Sequence, residues 1–233
     1  MHYLKMHPAE KIVFKLGIIS ILILLFEINR NKIIFIFNGL INNKMGNIMA
    51  EHVCPVWMGY LLASPIRKLF QNPCTILQPY VKEGMKILDI GSAMGFFSIP
   101  MTKMVGAAGK VTCVDLQKKM LEVLEKKARK NKVFDRMELR QCSQGSLDIS
   151  DLKEQIDFVL TFAVLHEVPD QSILFSEVAH VLKKKGKMLI AEPKGHVDEA
   201  KFQNTLKASE ANGFILLSHP LIAKSLTALS EKK

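Results

Sequence analysis

The chain has 233 residues, a formal net charge of +10, 48% hydrophobic and 23% charged residues, 13 Gly, 9 Pro and 4 Cys. This is the composition of an ordinary folded chain, and it excludes collagen, low-complexity disorder and a disulfide-stapled miniprotein. The length suits one α/β domain with an appendage and needs no metal to complete its core.

Residues 1–48 are built mostly of Ile, Leu, Phe, Asn and Lys, and hold six Lys or Arg and two Glu. Their uncharged run, Leu16 to Phe26, is shorter than the roughly 20 residues a bilayer span requires. Lys15 and Glu27 would have to snorkel for residues 12–41 to anchor the chain in a membrane. A secretory signal is disfavoured, since no small-residue cleavage site follows. A start site downstream, at Met45 or Met49, explains the abrupt change of composition and ranks ahead of the anchor.

Residues 49–84 precede the first regular strand, and Trp57 and Tyr60 there read as a cover for a sheet edge. From Met85 onward apolar runs alternate with amphipathic ones. Strands are expected at 86–90, 110–115, 137–142, 157–162 and 187–192. Helices are expected at 96–105, 116–130, 171–182 and 198–211. In the 116–130 helix Leu116, Met120, Val123, Leu124 and Lys127 share a face, and Asn212-Gly213 caps the last helix. Two further strands, 214–218 and 225–229, close the chain around Pro220. Such alternation builds a doubly wound, mostly parallel sheet with helices on both faces, and ligands bind beyond the carboxyl ends of its strands.

The basic runs Lys126–Lys130 and Lys183–Lys185 end predicted helices, where cations complement the helix dipole. No aromatic platform interleaves them, so nucleic acid ranks low as a partner. Cys54, Cys74, Cys113 and Cys142 show no C-x-x-C spacing, and no metal site is expected. Cys113 and Cys142 belong to buried strands, which points to a reducing cytoplasmic compartment.

The chemistry concentrates after the first strand, in Asp89-Ile90-Gly91-Ser92-Ala93-Met94-Gly95. Glycines there permit a sharp turn and close approach to a ligand. Asp115 ends the next strand, where a carboxylate accepts hydrogen bonds from ribose hydroxyls or caps the following helix. The loop lacks the G-x-G-x-x-G spacing of nicotinamide folds. Asp89, placed before the first glycine, would repel a pyrophosphate and suit a ligand bearing an ammonium or sulfonium. Beyond strand four, His166 and Glu167 are candidates for a general base, with helix capping by Glu167 and simple packing of His166 as the alternative. Glu192, His196 and Asp198 form a second polar group that reads more as loop structure than as catalysis.

In these motifs the sequence resembles the class I S-adenosylmethionine-dependent methyltransferases, from about Met85 to its end. The stretch Val159 to Asp170 is similar to that of the quinone-biosynthesis branch, and Leu182 to Gly186 is similar to the family's turn before strand five. The resemblance implies a Rossmann-like, three-layer α/β/α fold of seven strands with a closing antiparallel pair. It implies S-adenosylmethionine as cofactor and methyl transfer to a small, apolar acceptor. Gly91, Ser92 and Ala93 would then line the cofactor's methionine part, and Asp115 with Leu116 its ribose and adenine. Ser143 would face the adenine, and Phe162 the transferred methyl, while residues 49–84 would form a helical lid over the cofactor with Trp57 and Tyr60 as an apolar wall for the acceptor. The sequence departs from the pattern at three places: Ala93 replaces the middle glycine, Ser143 an Asp, and Lys184-Lys185 a Pro-Gly. The first two motivate a rival reading, a protein that binds the cofactor without catalysing transfer; an NAD-dependent oxidoreductase ranks below both.

Overall fold

The computed structural model describes Arg67 and residues 71–233, which belong to a unit running over Val53–Lys233. Residues 1–48, and with them residues 12–41, lie outside the described residues, as do His52, Cys54, Trp57 and Tyr60.

A short helix α1 (Pro73–Leu77) leads into the alternating strands and helices. They run β1 (Lys86–Ile90), α2 (Ser98–Met104), β2 (Lys110–Asp115), α3 (Lys118–Lys130), β3 (Met137–Gln141), β4 (Ile156–Phe162), α4 (Gln171–Val181), β5 (Leu182–Pro193), α5 (Glu199–Ala211), β6 (Phe214–Ser218) and β7 (Ser225–Lys232). The strands form one seven-stranded sheet in the order β3-β2-β1-β4-β5-β7-β6. Pairing is parallel from β3 through β5, whereas β7 is antiparallel to both β5 and β6. The expected mostly parallel sheet with an antiparallel closing pair is therefore present.

Strand alternation divides the core into two layers. Ile87, Val111, Cys113, Phe158 and Leu160 pack with Met101 and Leu124 on one face. Leu88, Ile90, Val114, Val159 and Ile190 pack with Phe175, Val178 and Phe202 on the other. Because strands buried on both faces have no polar side to show, β1, β2 and β4 read as nearly continuous apolar runs.

The differences from expectation have local causes. The helix expected from Phe96 begins at Ser98, so that Phe96 and Phe97 leave the helix axis to join an aromatic cluster. In α3 the expected Met120 and Leu124 are buried, joined by Leu121 and Ala128, whereas Leu116 precedes the helix, which starts at Lys118, and Val123 and Lys127 lie at the edge of the buried face. The Lys183–Lys185 run does not end a helix. Leu182 pairs with Ile156 and then Lys187 with Phe158, so residues 183–186 bulge from β5 with their lysines exposed. Lys185 takes a left-handed φ of 62 in that bulge, the conformation a Gly would favour.

Candidate functional site

The strand order reverses between β1 and β4: β2 and β3 follow β1 to one side, β5 lies beyond β4 on the other. At such a switch point the loops leaving neighbouring strands diverge and open a crevice at their carboxyl ends. The sequence places Gly91–Gly95, Asp115, Ser143, Phe162–Glu167 and Glu192 there.

The loop after β1 is tightly held. The Gly91 and Ser92 amides both donate to the Val114 carbonyl, at 2.9 and 3.1 Å, and the Gly95 amide donates to the Ser92 carbonyl at 3.0 Å. Gly91, Ala93 and Gly95 all adopt left-handed backbone, with φ of 70, 45 and 83. Ala93 thus keeps the conformation of a glycine at its position, at a steric cost of about 1–2 kcal/mol. A Cβ at Gly91 would lie 2.7 Å from Val164 Cγ2, and one at Gly95 2.3 Å from Leu124 Cδ1, so neither position has room for a side chain.

Asp89, Asp115 and Phe162 project from the same face of the sheet, the one covered by α2 and α3, by strand alternation with Ile87, Cys113 and Leu160. Asp89 is buried and accepts a hydrogen bond from Ser98 Oγ at 2.5 Å. Burial raises its pKa to about 7, opposed by the Ser98 hydrogen bond and reinforced by the Asp115 charge. The Asp115 carboxylate accepts from the Ala93 amide through Oδ2 and from the Gln117 amide through Oδ1, both at 2.8 Å. Burial raises its pKa too, while those two amides work against the rise. The capping role expected for Asp115 is thus present, securing the start of α3 and the glycine loop, and a carboxylate with about four lone-pair sites keeps acceptor capacity beyond these two amides.

Ser92 Oγ is buried and has no hydrogen-bond partner among the described residues. A buried hydroxyl without a partner costs about 1–3 kcal/mol, which a polar ligand in the crevice would recover. Left-handed loop, unpartnered Ser92 hydroxyl and paired carboxylates fit a cationic adenosyl ligand. Leu116 is half-buried between β2 and α3 and its carbonyl accepts from Gln141 Nε2. Ser143 is exposed beyond β3, and both its amide and its hydroxyl turn to the Ser146 carbonyl.

Phe162 ends β4 and packs against Phe97, their ring centroids 4.3 Å apart. The Arg67 guanidinium lies over this cluster, 4.5 Å from the Phe96 centroid and 5.2 Å from that of Phe162, with its Nε donating to Gln71. Burial lowers the Arg67 pKa to about 10. No sequence motif announced Arg67; only the fold brings it onto these rings.

After β4, Ala163 is also left-handed, at φ 58, and turns the chain into a short helical turn, Leu165–Glu167. Glu167 does not cap α4; Asp170 does, accepting from the Ser172 and Ile173 amides. Asp198 likewise caps α5, accepting from the Lys201 amide. Glu192 departs from the loop reading. It is buried at the end of β5, and its Oε1 accepts from the Val164 and Leu165 amides at 3.0 and 2.9 Å. Its Oε2 lies 2.5 Å from His166 Nδ1. His166 Nε2 lies 3.9 Å from Glu167 Oε1, and the His196 ring stands edge-on to the His166 ring at 5.3 Å. Desolvation lowers the His166 pKa, but the hydrogen bond and charge of Glu192, with the charge of Glu167, outweigh it and leave the pKa raised.

Cys142, whose amide donates to the Asp115 carbonyl, is pushed up to about 11 by burial and stays a thiol near neutral pH. Among the described residues no group of His, Cys, Asp and Glu could hold a metal ion, and no helix is long and apolar enough to cross a membrane.

Comparison with known proteins agrees with this geometry. The profile of the methyltransferase domain family matches residues 81–227. The ribosomal protein L11 methyltransferase of Dictyoglomus thermophilum is 34% identical over 151 residues, covering 63% of this chain and 45% of its own length. The ubiquinone/menaquinone biosynthesis C-methyltransferase UbiE of Idiomarina loihiensis is 27% identical over 169 residues, covering 70% and 66%. The chain thus spans less than two thirds of either relative. A crystal structure of an S-adenosylmethionine-dependent methyltransferase from Aquifex aeolicus superimposes with a TM-score of 0.68 at 21% identity, covering 77% of this chain and 98% of that one.

Proposed function

The chain belongs to the methyltransferase domain family, with S-adenosylmethionine as the cofactor that goes with it, and from that premise we propose that it transfers a methyl group to a small, apolar acceptor. The observation that carries the reading is the cradle at the switch point: left-handed backbone at 91, 93 and 95, the unpartnered Ser92 hydroxyl and the Asp115 carboxylate. When bound, the cofactor supplies a methyl group on a sulfonium, already activated for transfer.

The protein's part is to bind, orient and exclude water. Asp89, Gly91, Ser92, Ala93 and Gly95 would hold the cationic methionine end, with the Asp89 charge favouring a cation. Asp115 and Leu116 would hold the ribose and adenine, with Ser143 beside the adenine. Phe162, with Phe97 and Phe96, offers an apolar surface beside the transferred methyl. His166 and Glu167 are the candidates for accepting a proton from the acceptor. Support for an apolar acceptor comes from these rings and from relatives named for quinone biosynthesis. A relative named for a ribosomal protein keeps a protein side chain as the second choice.

The test is calorimetric titration of the full chain and its Asp115→Ala variant with S-adenosylmethionine, S-adenosylhomocysteine and NAD. Binding of both adenosyl ligands, lost in the variant and absent for NAD, is expected, followed by a screen of reduced quinones and of ribosomal protein as acceptors. Absence of adenosyl binding overturns the reading. Binding without methylation of either acceptor class favours the non-catalytic rival, and binding of NAD the oxidoreductase.

A further inference from the structure

The Glu192 side chain has an unusual setting for a loop carboxylate. It is 1% exposed, yet it faces three N–H groups: the amides of Val164 and Leu165 on Oε1 and the His166 ring on Oε2. A carboxylate accepts hydrogen bonds through both oxygens and donates none. A carboxylate that only accepts requires the ring to donate, so His166 Nδ1 must carry its hydrogen. The other ring nitrogen, Nε2, is then the basic one, on a side chain 20% exposed to solvent. Both anchoring amides belong to the turn that carries His166, so one buried group fixes the turn, the ring orientation and the tautomer together.

We propose that Glu192 is a positioning residue that holds His166 in the Nδ1–H form, leaving Nε2 as proton acceptor for substrates whose methylated atom starts out bearing a proton. The inference rests on the methyl-transfer reading above and names its substrate class: hydroxyls and hydrogen-bearing carbons of electron-rich rings. Thioethers and tertiary amines, which have no proton to lose, do not need this arrangement. In the step, the acceptor atom forms its bond to the methyl as the methyl–sulfur bond breaks. The sulfonium leaves as neutral thioether, and the acceptor's proton passes to Nε2 and from the exposed ring to water. The titratable groups facing His166 are Glu192 from β5, Glu167 from its own turn and His196 from the loop after β5. Glu167, 3.9 Å from Nε2, stands on the side where the imidazolium forms and would stabilise it.

The tautomer can be read without any acceptor, by long-range proton–nitrogen NMR of the full chain labelled with nitrogen-15 histidine, with a His166→Asn variant to assign the ring. The expected result is a neutral ring protonated at Nδ1, titrating above 6.5. Glu192→Gln should reverse the tautomer, since its one amide oxygen stays on the Val164 and Leu165 amides and its NH2 then donates to Nδ1, while the ring's titration falls by about one pH unit or more. Glu192→Ala should release the tautomer. A wild-type ring protonated at Nε2, or a midpoint unmoved in Glu192→Gln, overturns the proposal, and the wild-type spectrum decides even where a variant does not fold. For the substrate class, a hydroquinone, a phenol and a thioether serve as probes with isotopically labelled methyl donor. Transfer only to the first two, with an acid limb of kcat/KM that moves down in Glu192→Gln, is expected; transfer to the thioether, or to none of the three, overturns the class. Adenosyl binding measured on the same samples separates the two readings: its loss with the tautomer intact sinks methyl transfer alone.

Discussion

Replacing Asp89 by Asn should make the protein more stable at pH 8 and leave it nearly unchanged at pH 4. Asp89 is 3% exposed, and burial, opposed by the Ser98 hydrogen bond and aided by the charge of Asp115, brings its pKa to about 7 from 3.8. A group whose pKa is higher in the folded than in the unfolded chain contributes fully below the unfolded value. That contribution is lost as pH rises through the folded value. At ~1.4 kcal/mol per unit, a rise of about three units amounts to about 4 kcal/mol between the two ends. About half of it, ~2 kcal/mol, falls between pH 5 and pH 7, and the profile flattens above pH 7. In urea unfolding, where small proteins lose about 1–3 kcal/mol per molar, the wild-type midpoint should fall by roughly 1 M or more over that range. Asn keeps the shape and can accept from Ser98 Oγ, so the variant isolates the charge. Asp115 and His166, whose pKa values are also raised, slope in the same direction and set whatever slope the variant retains. Parallel stability profiles for wild type and variant from pH 5 to pH 8 would refute the reasoning, because they would mean that Asp89 is folded as an ion at no cost.

Three other substitutions probe the same region. Gly95→Ala should cost about 2–4 kcal/mol in urea unfolding, from the left-handed backbone plus displacement of buried Leu124, whose Cδ1 would lie 2.3 Å from the new methyl. Ala93→Gly should leave stability within about 1 kcal/mol of wild type, since relief at φ 45 is offset by the entropy of glycine, while calorimetry detects tighter S-adenosylmethionine binding. Arg140→Ala should cost about 1–3 kcal/mol, less in high salt, because Arg140 bonds both oxygens of Asp151 and also Glu138, tying β3 to the turn at 150–152.

Much of the fold could be read from the chain because its strands are short apolar runs bounded by glycine or by a carboxylate. Strands 86–90, 110–115 and 214–218 lie where the pattern puts them. Ends controlled by tertiary contacts moved: Phe96 and Phe97 leave α2 for the ring cluster with Phe162, a partner 65 or more residues away that no local periodicity reveals. The glycine loop and Asp115 were legible because their chemistry is local, a turn followed by a strand end. Ser98 and Arg67 were not, since their roles exist only once Asp89 and the Phe cluster are brought beside them. Glu192 lies between these cases. Its position at a strand end marked it for attention, but only the structure brings it to His166, 26 residues away in sequence.

The two polar groups of the crevice differ in what their burial accomplishes. Asp89 and Asp115 share one face of the sheet, and their pKa values are raised, so a cation beside them would favour ionisation and lower both. Binding of a cationic ligand and release of a proton are then the same event, and cofactor affinity should rise with pH through about 7. His166 too must lose its proton to act as a base, and Glu192 delays that loss. Both requirements are met only on the alkaline side. The acid limb of activity should therefore contain two ionisations, one seen in cofactor binding and abolished by Asp89→Asn, the other seen in turnover and moved by Glu192→Gln. A single ionisation that neither substitution moves would mean that the crevice titrates through some other group.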